Sequence, residues 1–302
     1  MATPLSAMAA VQPNELPVGN RLSALAPQPQ AQPVNPIEQE YFGRLETDYP
    51  SLVAEYQRLI ESDEGRTFNT DVARELSPHY RADRTKSADV HEPSSAFVKR
   101  LYAEKLANPT PKDRDATVIF TAGGTGAGKT TGMEVVKGVN KNAGRAEIVY
   151  DTNMNKFESA DKKIRQALDA GRKVHILYTY RDPVEALENG ALKRAARMEE
   201  QMGTGRTVPL SEHLKTHIGA RQTIDQLAAK YRNNGKVQIQ VIDNSRGAGN
   251  AKLSSLDKLP KLNENAIRKE LQNALERKRQ SGAISDAIYR GTADYLGATP
   301  RR

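Results

Sequence analysis

The stretch from Thr121 to Gly132, TAGGTGAGKTTG, places five glycines in twelve residues. That is poor material for a packed element. Its spacing, Gly123-x-x-x-x-Gly128-Lys129-Thr130, is that of a phosphate-binding loop. Glycines let successive backbone N–H groups curl around a diphosphate with no Cβ in the way. The cradle is formed by Gly123, Gly124, Thr125, Gly126, Ala127 and Gly128, and Lys129, Thr130 and Thr131 open the helix that follows. That helix points its N-terminus at the same phosphates. Lys129 would reach the β and γ phosphates, and the Thr130 hydroxyl would hold Mg²⁺. Such a loop specifies a nucleoside triphosphate but not its use. A small-molecule kinase, a GTPase switch, a motor ATPase and a binding scaffold all share it.

The elements that must position this loop follow the same logic. ATVIFTA before it reads as a buried strand, and KTTGMEVVKGV after it as a helix. AEIVYD, KVHILYTY and KVQIQVID read as further strands, separated by the amphipathic helix FESADKKIRQALDAG and the helices PVEALENGALKRAARMEEQ and SEHLKTHIGARQTIDQLAAKYRNNG. GTGRTVP is a loop between the last two helices. Strand and helix in alternation predict an α/β fold, a parallel sheet flanked by helices. Ahead of the sheet, residues 37–110 read as a helical N-terminal region. A break falls at Pro50, the stretch 67–93 is polar loop with a short helix, and Phe97, Leu101 and Tyr102 share one helix face. Residues 111–250 form the core, and 251–302 a helical C-terminal tail. Residues 1–36 hold seven of the sixteen prolines and two charges, Glu15 and Arg21, which predicts a disordered leader or tether.

Composition narrows the class. The 302-residue chain has no cysteine, which excludes disulfides and zinc-thiolate sites. No apolar run approaches the roughly 20 residues needed to span a bilayer. The formal charge of +8 attracts nucleic acid, anionic lipid or phosphorylated ligands. It is spread along the chain without a long basic block, so nucleic acid is not the favoured partner.

Taken together, these residues resemble the zeta toxin family of P-loop kinases. The resemblance rests on GGTGAGKTT, on KRAARMEEQMGTGRTVPLSEH with Arg197 and Arg206 nine residues apart, on VIDNS, and on TDVAREL and VHEPSSAFVKRLY ahead of the loop. It covers about residues 66–246. It implies a P-loop kinase core that transfers the ATP γ-phosphoryl group to a sugar hydroxyl of UDP-N-acetylglucosamine. It also implies an antitoxin partner, and a bacterial cytoplasmic setting or delivery to a host cell if the leader is an export signal. The alternative activities are a kinase of NAD or of a polynucleotide end, and a nucleotide-binding module without transfer chemistry.

Transfer of this kind needs a carboxylate that orients or deprotonates the attacking hydroxyl, and arginines that neutralise the phosphoryl group. Asp151 ends the second strand at the carboxyl edge of the sheet, 22 residues after Lys129. It is the candidate base, with a Mg²⁺ partner as the other reading. The family's second strand typically ends in two acids around one residue, whereas this chain has Asn153 in the second position. Arg197 and Arg206 are expected on a lid-like helix and loop above the phosphates, where a planar guanidinium binds phosphate oxygens in pairs. Arg194 is expected on a solvated face. His213 aligns with a family histidine but reads as a helix-surface residue. Asp71 and Arg74 are placed as a local pair or substrate contacts, and Asp243 and Asn244 on the adenine side.

Overall fold

A computed structural model describes residues 35–247 and 249–293 of the chain. The proline-rich leader expected over 1–36 lies outside the described residues apart from its last two, and so does the end of the tail. The sheet has six strands in the order β1-β3-β2-β4-β5-β6. These are β1 (Thr67–Asn69), β2 (Asp115–Ala122), β3 (Ala146–Asp151), β4 (Lys173–Tyr180), β5 (Val237–Asp243) and β6 (Lys252–Ser254). The first five run parallel, and β6 pairs antiparallel at the far edge. The strands read from the sequence are apolar along most of their length because helices cover both faces of the sheet. Phe120 of β2 stands opposite Tyr150 of β3 and Ile176 of β4. The connection after β2 runs to β3 on one side and that after β4 to β5 on the other, so the carboxyl ends of β2 and β4 flank the crevice where α/β sheets bind ligands.

Before the sheet come α1 (Pro36–Thr47), α2 (Tyr49–Arg58), α3 (Thr70–Ala73), α4 (Pro78–Ala82) and α5 (His91–Ala107). The break at Pro50 is present: Asp48 separates α1 from α2. The stretch expected as polar loop differs from that reading. Its residues Thr67–Asn69 form the edge strand β1, with Asn69 paired to Asp151. Three residues are too few to show a strand's period of two, and only the partner strand defines them. The region also shares its core with the sheet. Phe97, Leu101 and Tyr102 of α5 are buried as one face. Tyr102 packs against Phe68, Phe120 and Tyr150 at ring-centroid distances of 6.2, 6.1 and 5.1 Å. The boundary at residue 110 thus separates stretches of sequence, not two cores.

After β2 the chain forms α6 (Lys129–Val135) and, past a turn at Gly138, α7 (Val139–Arg145), where one helix was expected. Next come α8 (Phe157–Asp169), α9 (Pro183–Ala186), α10 (Leu192–Met202) and α11 (Leu210–Lys230), then α12 (Glu264–Gln280) and α13 (Asp286–Thr292). Between α9 and α10 the expected continuous helix widens into a π turn, Leu187–Ala191. There the backbone of Gly190 meets the phosphate loop, and a Cβ on it would stand 2.6 Å from the Gly126 carbonyl oxygen. π turns are common where helices serve a site. The helical tail has a core of its own with these helices, built on Leu187, Leu192, Leu210, Leu214, Leu271 and Leu275.

Phe97 is fully buried between Tyr49 and Tyr56. Phe97→Ala should therefore lower unfolding stability by about 3–5 kcal/mol. Ile60, 93% exposed, supplies the contrast: Ile60→Ser should stay within about 0.5 kcal/mol. Urea melts of the two variants check both figures.

Candidate active site

A loop of glycines has few side chains with which to hold itself, and its neighbours do that work. The carbonyl oxygens of three successive loop residues accept hydrogen bonds from outside it. His217 Nε2 donates to Thr125 at 3.0 Å, Arg181 Nη1 to Gly126 at 3.4 Å, and Asn244 Nδ2 to Ala127 at 2.8 Å. The Thr125 N–H donates to Thr216 Oγ1 at 3.1 Å. With the carbonyls tied outward, α6 opens at Lys129 with first-turn N–H groups that have no helical carbonyl behind them. Gly124 has to be glycine because the His217 ring lies where a Cβ would stand, 2.2 Å away. Lys129 Nζ donates to Asn153 Oδ1 at 2.8 Å, and the Gly123 N–H to the Asn153 carbonyl at 3.1 Å. Asn153, in the place expected for a second acid, therefore anchors the loop and its lysine.

Asp151 stands at the end of β3 beside the loop-bearing strand. Its Oδ2 accepts from Asn69 Nδ2 at 2.7 Å and its Oδ1 from the Thr121 hydroxyl. Two donors from flanking strands fix the carboxylate's orientation. A cleft of about 500 Å³ is lined by Asn69, Thr121, Thr130 and Asp151, with Glu61, Arg66 and Glu134 also along it. Thr130 is exposed on this cleft, and Thr131 is half-buried behind it. A hydroxyl and a carboxylate are hard oxygen donors of the kind Mg²⁺ takes together with substrate phosphates. Among the described residues no group of three or more acidic, histidine or cysteine side chains makes a metal site independent of phosphate.

Arg206 reaches the site from the loop after α10. Its Nη1 lies 2.7 Å from Asp71 Oδ2, and Arg74 Nη1 lies 3.2 Å from Asp71 Oδ1. Asp71 and Arg74 thus pair as read from the sequence, and Arg206 joins them. Burial opposes the charge of Asp71, but Arg206 and then Arg74 outweigh it and hold the carboxyl well below the usual range. Arg197 is not brought to this group. It is exposed on α10, and no hydrogen bond or ion pair ties it to the other described residues. Arg194 is exposed on α10, as expected. Its guanidinium pKa is lowered by desolvation and then by the charge of Arg206, which Asp71 and Asp151 counter. Asp243 receives the Ser245 N–H at 3.0 Å, whereas Asn244 is buried beneath the loop as its support.

The expectation of a surface His213 is corrected: it is fully buried on α11, with Nε2 2.8 Å from the Pro183 carbonyl oxygen. His217 lies one turn on, its ring 4.6 Å from that of His213. The spacing HLKTH was a visible signal for one helix face. Asn69 and Thr121 carried no such signal, because single polar residues gain their roles only from tertiary neighbours.

A mostly parallel sheet with a phosphate loop at its switch point makes this a P-loop nucleotide-binding core. Within it, residues 141–250 match the zeta toxin family model, so the resemblance seen in the sequence holds over that span. The span contains Asp151, Asn153, Arg194, Arg206 and His213, and starts after the loop itself. Among solved structures, the chain is similar to the AvrRxo1-ORF1:AvrRxo1-ORF2 complex with sulphate ions, at 15% identity, 93% coverage of each chain and a TM-score of 0.41. The same complex with ATP gives 14% identity, coverage of 96% of this chain and 93% of that one, and a TM-score of 0.41. The PezAT toxin-antitoxin system of Streptococcus pneumoniae gives 12% identity over 59% of this chain and 95% of that one, with a TM-score of 0.30. No curated protein matches the chain. Among the described residues no helix is long and apolar enough to cross a membrane.

Burial pushes the pKa of His213 down to about 4, whereas an unfolded chain protonates it near 6.5. Between these values the unfolded state binds more protons, so stability should fall as pH drops from about 6.5 toward 4. The full effect is on the order of 3 kcal/mol. Burial and His213 shift His217 in the same direction. His213→Gln should flatten, but not abolish, the loss of melting temperature between pH 7.5 and 4.5. An equal loss in both proteins would remove His213 as the cause.

Proposed function

We propose that the chain transfers the γ-phosphoryl group of ATP to a hydroxyl of a nucleotide-linked sugar, such as UDP-N-acetylglucosamine, or of a related nucleotide. One observation carries this reading: Thr130 at the phosphate loop and the doubly held Asp151 line the same cleft. The loop N–H groups and Lys129 bind the triphosphate. Lys129 exchanges Asn153 for phosphate oxygens when nucleotide arrives. Thr130 would hold Mg²⁺, which supplies positive charge to the β and γ phosphates when bound. Asp151 orients the acceptor hydroxyl and takes its proton. Arg206 neutralises charge on the transferring group, with Arg194 beside it. Arg197 is left without a role in the chemistry. A second chain that restrains the enzyme belongs to this reading, as in the PezAT toxin-antitoxin pair.

Labelled ATP incubated with the protein and a metabolite extract should move label to a soluble acceptor. Free phosphate alone would make the protein an ATPase. Lys129→Ala should cut transfer by about 100–1,000-fold, as removal of one transition-state contact does. Asp151→Asn should stop transfer while ATP affinity changes by less than about tenfold, or ~1.4 kcal/mol. Normal transfer in Lys129→Ala with an unchanged melting curve would overturn the reading. An affinity loss in Asp151→Asn that raised Mg²⁺ repairs would make Asp151 a metal partner instead of the base.

A further inference from the structure

Apart from the phosphate loop, positive charge converges at one other point. Tyr80 of α4 is buried, and its side chain interacts electrostatically with Arg74, Arg84 and Arg206. Arg84 stacks on the Tyr80 ring at 4.6 Å, and its backbone N–H donates to Thr204 Oγ1 at 3.2 Å, which fastens this segment to the arginine-bearing loop. The three guanidinium side chains are only 7%, 11% and 15% exposed. Each keeps a buried Nε–H with no acceptor among the described residues. Two carboxylates face them: Glu75 pairs with Arg84, and Asp71 with Arg74 and Arg206. Three guanidinium ions against two carboxylates leave an excess of one in a poorly solvated place. Such charges are stable only when paired and hydrogen-bonded.

Asp71 differs from its partners in facing open solvent, with 43% of its side chain exposed. We propose that Arg74, Arg84 and Arg206, gathered around Tyr80, form a second anion site that holds a phosphate of the acceptor, and that Asp71 occupies it as an internal stand-in until the acceptor arrives. A phosphate offers more acceptor oxygens than a carboxylate and accepts guanidinium N–H groups in pairs. The acceptor class is therefore a phosphate-bearing nucleotide, not a free sugar. This rests on the transferase reading for the word acceptor, but the anion site itself does not. Two of its arginines and its tyrosine come from the N-terminal region, outside the span that matches the family.

The test uses inorganic pyrophosphate as probe and calorimetric titration of the full chain. Lys129→Ala serves as background, because it removes the lysine of the phosphate loop. Pyrophosphate should still bind this protein, and Arg84→Gln added to it should weaken binding about tenfold, the loss of one charge-assisted contact. Asp71→Asn should tighten binding by at least about threefold, since it removes a competing carboxylate. If Arg84→Gln lowers the melting temperature, Arg84→Lys replaces it: charge is kept, the planar fork is lost, and binding should still weaken. Binding that vanishes with Lys129→Ala alone, that ignores both Arg84 variants, or that weakens in a well-folded Asp71→Asn would overturn the second site. Failure of Lys129→Ala to affect label transfer would overturn the transferase reading and leave the pyrophosphate result standing.

Discussion

A phosphate loop must present bare N–H groups, and a chain stripped of side chains for that purpose has little with which to hold its own shape. The other half of each peptide unit solves this problem. The carbonyls of Thr125, Gly126 and Ala127 are tied outward by a histidine, an arginine and an asparagine. Each donor arrives on a different element: His217 on α11, Arg181 just past β4, and Asn244 just past β5. Sheet order is what delivers two of them, since β4 lies beside the loop-bearing strand and β5 lies next to β4. The third depends on α11, which the C-terminal helices clamp through Leu210, Leu214, Leu271 and Leu275. Helices far from any phosphate thereby set the loop's geometry.

The N-terminal region serves the other side of the site. Its three-residue strand is too short to persist alone, yet it places Asn69 directly against Asp151. The strand is held from below by Phe68 in the aromatic cluster around Tyr102. Orientation of the candidate base thus follows from core packing: the aromatic cluster fixes β1, β1 fixes Asn69, and Asn69 fixes the carboxylate. The ion pair of Asp71 with Arg206 links the same region to the loop after α10. One short stretch, Thr67–Ala73, therefore touches both the candidate base and Arg206.

What could be read from the sequence follows the same division. Strands β2 to β5 were legible because each carries a run or alternation of apolar residues between turn signals, and the phosphate loop because its backbone demand excludes most residue types. β1 and β6 were not, since each is three residues long and defined by its neighbour. The burial of His213 was hidden for a different reason. The inward face of α11 carries His213, Thr216, His217 and Thr223 among its apolar residues, so its polarity masks the period. Those polar groups are buried to meet backbone groups of the loop and of Pro183, which is a functional demand overriding amphipathic pattern. Arg206 and Arg197 show the limit of motif reading. Type and spacing identified an arginine pair, but only the placement of the two residues distinguishes Arg206, which pairs with Asp71, from Arg197, which is exposed on α10.

The net charge of +8 gains a location from the structure. A surplus spread over a surface serves contact with an extended polyanion, whereas charges focused in a low-dielectric recess raise the local concentration of a small anion. Here Arg74, Arg84 and Arg206 are nearly buried, and their carboxylate partners are fewer than the cations they face. A protein gains no stability from gathering like charges away from water: burial and then Arg206 lower the pKa of Arg74, whereas, against burial, Glu75 and Asp71 raise those of Arg84 and Arg206. Such an arrangement persists where an anion completes it. On the proposed reading, that anion is a phosphate of the acceptor whose hydroxyl Asp151 addresses.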